Sequence, residues 1–68
     1  MVRFDLEAVE RAEHDADART LFVWFRGNER PYAYHDVPED VFHALCDAES
    51  QGRFMQQQVI GHYPYSPP

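Results

Sequence analysis

The chain contains no lysine: its six basic residues are Arg3, Arg11, Arg19, Arg26, Arg30 and Arg53. Twelve carboxylates stand against them, for a net charge of -6 over 68 residues. That balance lacks the basic footprint that sequence-independent nucleic-acid binding leaves. Cysteine is limited to Cys46, which excludes an intramolecular disulfide. His14, His35, His43 and His62 show no metal-ligand spacing, so neither a metal nor another cofactor is expected. No apolar run approaches the ~20 residues needed to cross a bilayer. Met1-Val2-Arg3-Phe4-Asp5 has no positive region followed by an apolar stretch, so a cytoplasmic protein without a signal peptide is expected.

What the chain does carry is aromatic: five Phe, four Tyr and one Trp. Each can bury roughly 150–250 Å². A domain this short buries only about 60% of its unfolded surface, so one aromatic-rich domain over 1–68 is the expected organisation.

Val2, Phe4 and Leu6 alternate with charged residues, which predicts an extended arm over 1–7. Residues 8–14 pass as helix by propensity. Asp15-Ala16-Asp17-Ala18-Arg19 is a polar connection, and Thr20-Leu21-Phe22-Val23-Trp24-Phe25 has the β-branched and aromatic content of a strand. Gly27-Asn28 is a two-residue hairpin signal. Taken literally, it pairs Arg26 with Glu29, Phe25 with Arg30, Trp24 with Pro31, Val23 with Tyr32, Phe22 with Ala33 and Leu21 with Tyr34. Leu21, Val23, Tyr32 and Tyr34 then share the core face. Pro31 cannot donate a ladder hydrogen bond, which predicts an edge position for the third strand.

Val37-Pro38-Glu39-Asp40 starts a helix, with Pro at the first helical position and two carboxylates near the positive end of the dipole. Val41, Phe42, Leu45, Cys46 and Ala48 form its apolar stripe. Ser50 caps a second helix running to about Val59, with Phe54, Met55 and Val59 on its apolar side. Gly61, Pro64, Pro67 and Pro68 predict an irregular tail over 64–68, from which Tyr63 and Tyr65 can pack back. The expected core is Leu21, Val23, Tyr32, Tyr34, Phe42, Leu45 and Phe54.

The order Tyr32-Ala33-Tyr34, Val37-Pro38, an amphipathic run and Ser50-Gln51-Gly52 before Phe54 resembles the KTSC domain. This small module stands alone in bacterial proteins and at the C-terminus of some lysyl-tRNA synthetases. The resemblance is strong over 20–63. It implies a strand over 8–14, with Val9, Ala12 and His14 in places usually filled by larger residues. Glu13-His14 stands where the family has Gly-Tyr, Glu7-Ala8 where it has a Ser pair, and Phe54-Met55 where it commonly has Phe-Asn. The expected fold is α+β: a three-stranded antiparallel meander with two helices packed on one face.

No constellation predicts catalysis. His43 and Cys46 share a helix face, but nothing supplies an orienting group or an oxyanion site, and a small buried Cys beside a boundary His accounts for them. Asp36, Glu39 and Asp40 suit a helix start. Capping by Ser50 and a close approach at Gly52 explain that stretch without an anion. The expected role is a non-catalytic binding or adaptor module. Phe22 and Trp24 point away from the core face, where the family usually has polar residues. They form either an interface to a protein partner or another copy, or a surface covered by Val2-Phe4-Leu6 or by the Tyr63–Tyr65 tail. The alternative is the RNA-binding role suggested for the family, through Arg26, Arg30, Tyr32, Tyr34, Ser50 and Arg53. The net charge disfavours it.

Overall fold

The computed structural model describes residues 9–68, and the predicted arm Val2-Phe4-Leu6 lies outside them. Four strands form one antiparallel sheet in the order β1 (Val9–Asp15), β2 (Thr20–Phe25), β3 (Tyr32–Tyr34) and β4 (Tyr65–Ser66). The strand expected over 8–14 is therefore present as Val9–Asp15, against its helical propensity. A bulge explains its sequence pattern: Val9 pairs with Phe25 while Arg11 pairs with Trp24, so Glu10 is extra. One inserted residue shifts the alternation, and Val9, Ala12 and His14 all become partly buried. Tertiary pairing with β2 overrides local preference here.

The β1–β2 connection is an Asx turn. Asp15 Oδ1 accepts from the backbone N–H groups of Asp17 and Ala18 at 3.0 and 3.2 Å. Arg19, at φ 53°, completes the reversal. The β2–β3 register is the one read from Gly27-Asn28: Leu21 opposite Tyr34, Phe22 opposite Ala33 and Val23 opposite Tyr32. The turn itself is wider than the literal two-residue loop. The ladder stops at Val23 and Tyr32, and the Asn28 N–H closes a turn onto the Phe25 carbonyl at 3.0 Å, with Gly27 at φ 89°. The expected pairs of Arg26, Phe25 and Trp24 with Glu29, Arg30 and Pro31 lie outside the ladder.

Two expectations are corrected by β4. The sheet has four strands rather than three, and β3 is interior rather than an edge. Residues 64–68 are not wholly irregular: Ser66 pairs with Ala33 and Tyr65 with Tyr34. Pro31 remains tolerable because it precedes the paired part of β3.

Helix α1 (Glu39–Asp47) begins one residue later than expected, with Pro38 as the extended cap residue. It has only nine residues, and Leu45 alone among them is fully buried. Val41 and Phe42 are half-buried and Cys46 is exposed, so the expected stripe is narrower than its sequence suggests. Helix α2 (Gln51–Phe54) is capped by Ser50, whose hydroxyl accepts from the Arg53 N–H at 3.2 Å. It continues directly into a π-helical run, Met55–Val59, closed by the Ile60 N–H on the Met55 carbonyl at 2.7 Å. The wider turn leaves both Met55 and Val59 with no exposed surface.

Both helices cover one sheet face. The core joins Leu21, Val23, Phe25 and Tyr34 of the sheet to Val37, Leu45, Met55 and Val59. Tyr32, Phe42 and Phe54, expected to be mostly buried, are partly buried and pack against this cluster. His14 ties β1 to the start of α1: its ring stacks on Phe42 with centroids 5.6 Å apart, and Nε2 donates to the Val37 carbonyl at 2.8 Å.

An aromatic cleft between the sheet and the second helix

Alternation along β2 carries the inward face one step past Val23 to Phe25, and β3 places Tyr32 and Tyr34 beside it. Strand β4 adds Tyr65. The three tyrosine rings make a continuous platform, with centroids 5.7–6.4 Å apart and planes within 36° of one another. Phe25 meets Tyr32 edge-on at 5.4 Å. Helix α2 and the π-helical run face this platform through Gly52, Met55 and Gln56, joined by Ile60 just beyond the run, and the β2–β3 turn closes one end with Arg26 and Asn28. Together they enclose a cleft of about 540 Å³, within the usual range for small-ligand sites. Its walls are mainly hydrocarbon and ring, and among the described residues Arg26 is their one charged side chain.

The Tyr34 phenol is pushed up to about 12 from its ordinary 10, first by burial and then by the neighbouring Tyr32 and Tyr65. It stays protonated throughout the physiological range. Because its pKa is higher in the folded chain than in the unfolded one, its contribution to stability is complete below about pH 10 and disappears as pH rises through about 12. The effect is on the order of 1–2 kcal/mol. Tyr34→Phe should therefore flatten the alkaline limb of a urea-midpoint profile between pH 10 and 12. An unchanged limb would place the alkaline sensitivity elsewhere.

The structure gathers some of the expected binding residues and scatters others. Arg26, Tyr32 and Tyr34 line the cleft together. Arg30 and Arg53 are exposed outside its lining, and the Ser50 hydroxyl is engaged as a helix cap. Phe25, Asn28, Met55, Gln56, Ile60 and Tyr65 were not anticipated there. The continued alternation Leu21, Val23, Phe25 was the available signal for the first of them.

Phe22 and Trp24 lie on the opposite sheet face, both half-buried. The Arg11 guanidinium sits 4.5 Å from the Trp24 ring centroid and is ion-paired with Glu13. The Tyr63–Tyr65 tail does not cover this face: Tyr63 packs against the core and Tyr65 stacks on the tyrosines of the other side.

His43 has its Nε2 3.5 Å from the Glu39 carboxylate one turn earlier. Its neighbour Cys46 is exposed, which corrects the expectation of a small buried thiol. Among the described residues, no three His, Cys, Asp or Glu side chains converge as a metal site, and no helix is long and apolar enough to cross a membrane.

Comparison with known proteins agrees with this architecture. A KTSC domain protein of Yersinia pestis, known from a crystal structure, matches with a TM-score of 0.81 and 28% identity, over 88% of this chain and 83% of that one. A protein of Tsukamurella paurometabola is 42% identical over 48 residues, covering 71% of this chain and 70% of the relative. The model of the KTSC domain matches residues 7–63. With the Tyr32-Ala33-Tyr34 motif at the centre of its sheet, this chain belongs to the KTSC domain family.

Proposed function

We infer that the protein is a non-catalytic binding module for a protein partner and works in the cytoplasm through the aromatic cleft. The supporting observation is the cleft's composition: three tyrosines and Phe25 on one wall, Met55 and Ile60 on the other, and, among the described residues, a single charge at Arg26. Rigid aromatic area with polar tips is what partner surfaces use as anchors. Met55, where the family commonly has Asn, lies behind this wall with no exposed surface and makes its backing apolar.

Two other readings keep a specific observation each. Phe22 and Trp24 form a second half-exposed aromatic pair, on the face away from the helices. For RNA, Arg26 does stand beside Tyr32 and Tyr34, an arrangement suited to stacking bases.

Immobilised chain offered to extract from its own host distinguishes the three. Tyr32→Ala should reduce capture of a protein partner at least tenfold. The double variant Phe22→Ser with Trp24→Glu should leave capture intact, with circular dichroism run alongside because both rings are half-buried. Loss of capture in the double variant alone would move the interface to the opposite face. Capture that disappears with ribonuclease and weakens steeply with salt would favour RNA.

A further inference from the structure

One wall of the cleft is lent by a weakly held segment. Strand β4 has two residues, both exposed, and Tyr65 leaves 55% of its surface open despite lining the cleft. Beyond its two rungs on β3, it is held by the His35 N–H donating to the Pro64 carbonyl at 2.8 Å and by a 2.9 Å contact between His35 Nε2 and the Ser66 hydroxyl. Among the described residues its remaining attachment is the Tyr65 ring on Tyr32 and Tyr34, at 5.9 and 5.7 Å. Few buried apolar contacts and exposed backbone hydrogen bonds mark a segment that opens at low free energy. It is also short of partners by sequence, since Pro64 and Pro67 flank the two strand residues and have no N–H to donate.

This is the geometry of a peptide added to a sheet edge, with main-chain pairing for affinity and one aromatic anchor for specificity. We propose that the side of β3 now paired with β4, with its tyrosine platform, forms a docking site for an extended partner segment of the pattern proline, aromatic, any residue, proline, which residues 64–67 of this chain occupy in cis. The occupant follows from what is seated there. Pro64-Tyr65-Ser66-Pro67 pairs with β3, carries no charge, and places its ring against a cleft whose one charged residue, among those described, is Arg26. A partner segment of the same kind pairs with Ala33 and Tyr34 and puts its aromatic ring where Tyr65 now lies. The cis segment competes at an effective concentration on the order of millimolar, so the free site is masked until a better-fitting segment displaces it.

The inference rests on the cleft being the binding surface and is tested separately from it. The probe is a synthetic heptapeptide of this chain's own sequence 62–68, titrated into isotope-labelled full-length protein by NMR. Its control replaces both the tyrosines and the prolines by serine. In the full chain carrying Tyr65→Ala and Ser66→Ala, the probe should bind at least tenfold more tightly than in the unaltered chain, shifting the amides of Ala33, Tyr34 and His35. The control should do neither. In the unaltered chain, millimolar probe should move the Tyr65 ring signals to unstructured positions, a readout that survives even if the double variant folds poorly. The proposal is overturned by a static Tyr65 ring at millimolar probe, by equal responses to probe and control, or by a dimer that exchanges β4 between two copies. If Tyr32→Ala abolishes partner capture while the probe has no effect, the cleft reading stands and the displacement mechanism falls.

Discussion

Leu45→Ala should destabilise the domain by about 2–5 kcal/mol, the usual range for truncating a buried leucine. A chain of this size has roughly 3–10 kcal/mol in total. Leu45 has no exposed surface and is the one fully buried side chain that α1 contributes, set against Leu21, Val23 and the π-helical run. The helix has only nine residues and Ser50 follows close behind it, so little can relax into the cavity. Urea unfolding followed by circular dichroism should show a lower midpoint with an unchanged slope. The neighbouring Cys46→Ala provides the contrast. Cys46 is exposed, and its loss should stay within about 0.5 kcal/mol. If the two variants unfold alike, the orientation of α1 is wrong by one position, about 100° around the helix.

The contrast between these neighbours also shows where sequence reading succeeds and stops. The stripe of Val41, Phe42, Leu45, Cys46 and Ala48 identifies a helix correctly, but its spacing spans more of the circumference than a nine-residue helix buries. The β2–β3 register was legible because Gly27-Asn28 and the alternation around Leu21 and Val23 point to the same pairing. By comparison β1 was obscured, since the bulge at Glu10 sets Val9 and Ala12 three apart, the spacing of a helix face. Strand β4 was illegible for a different reason. Two residues between prolines carry no periodicity, and their pairing depends on a contact from His35 to Pro64 far along the chain. The cleft inherits that gap. Its Tyr32–Tyr34 wall and Arg26 are visible in the sequence. Its Met55–Ile60 wall arises only when α2 crosses the sheet, and the π-helical turn that aims Met55 inward has no local signature.

The two tyrosines of the central motif should fail in different ways. They are two residues apart on β3 and point to the same face, yet Tyr34 is 3% exposed while Tyr32 is only half-buried. Tyr34 lies at the junction of the sheet, the core cluster and the Tyr65 ring. Tyr34→Ala should therefore remove about 3–5 kcal/mol, as truncation of a buried aromatic does, and should loosen β4 with it. Tyr32 meets Phe25 edge-on at the cleft mouth, so Tyr32→Ala removes binding surface while leaving the strand ladder and most of the core in place. Its urea midpoint should fall much less than that of Tyr34→Ala. Its affinity for a cleft ligand should nevertheless drop by about 2 kcal/mol or more, the scale of an aromatic anchor. Denaturation and binding measured on the same two proteins separate the roles: stability lost chiefly at Tyr34, affinity lost at Tyr32 with the fold retained. Equal destabilisation by both would make the motif purely a packing device, and the aromatic cleft would then be a by-product of the core rather than a site.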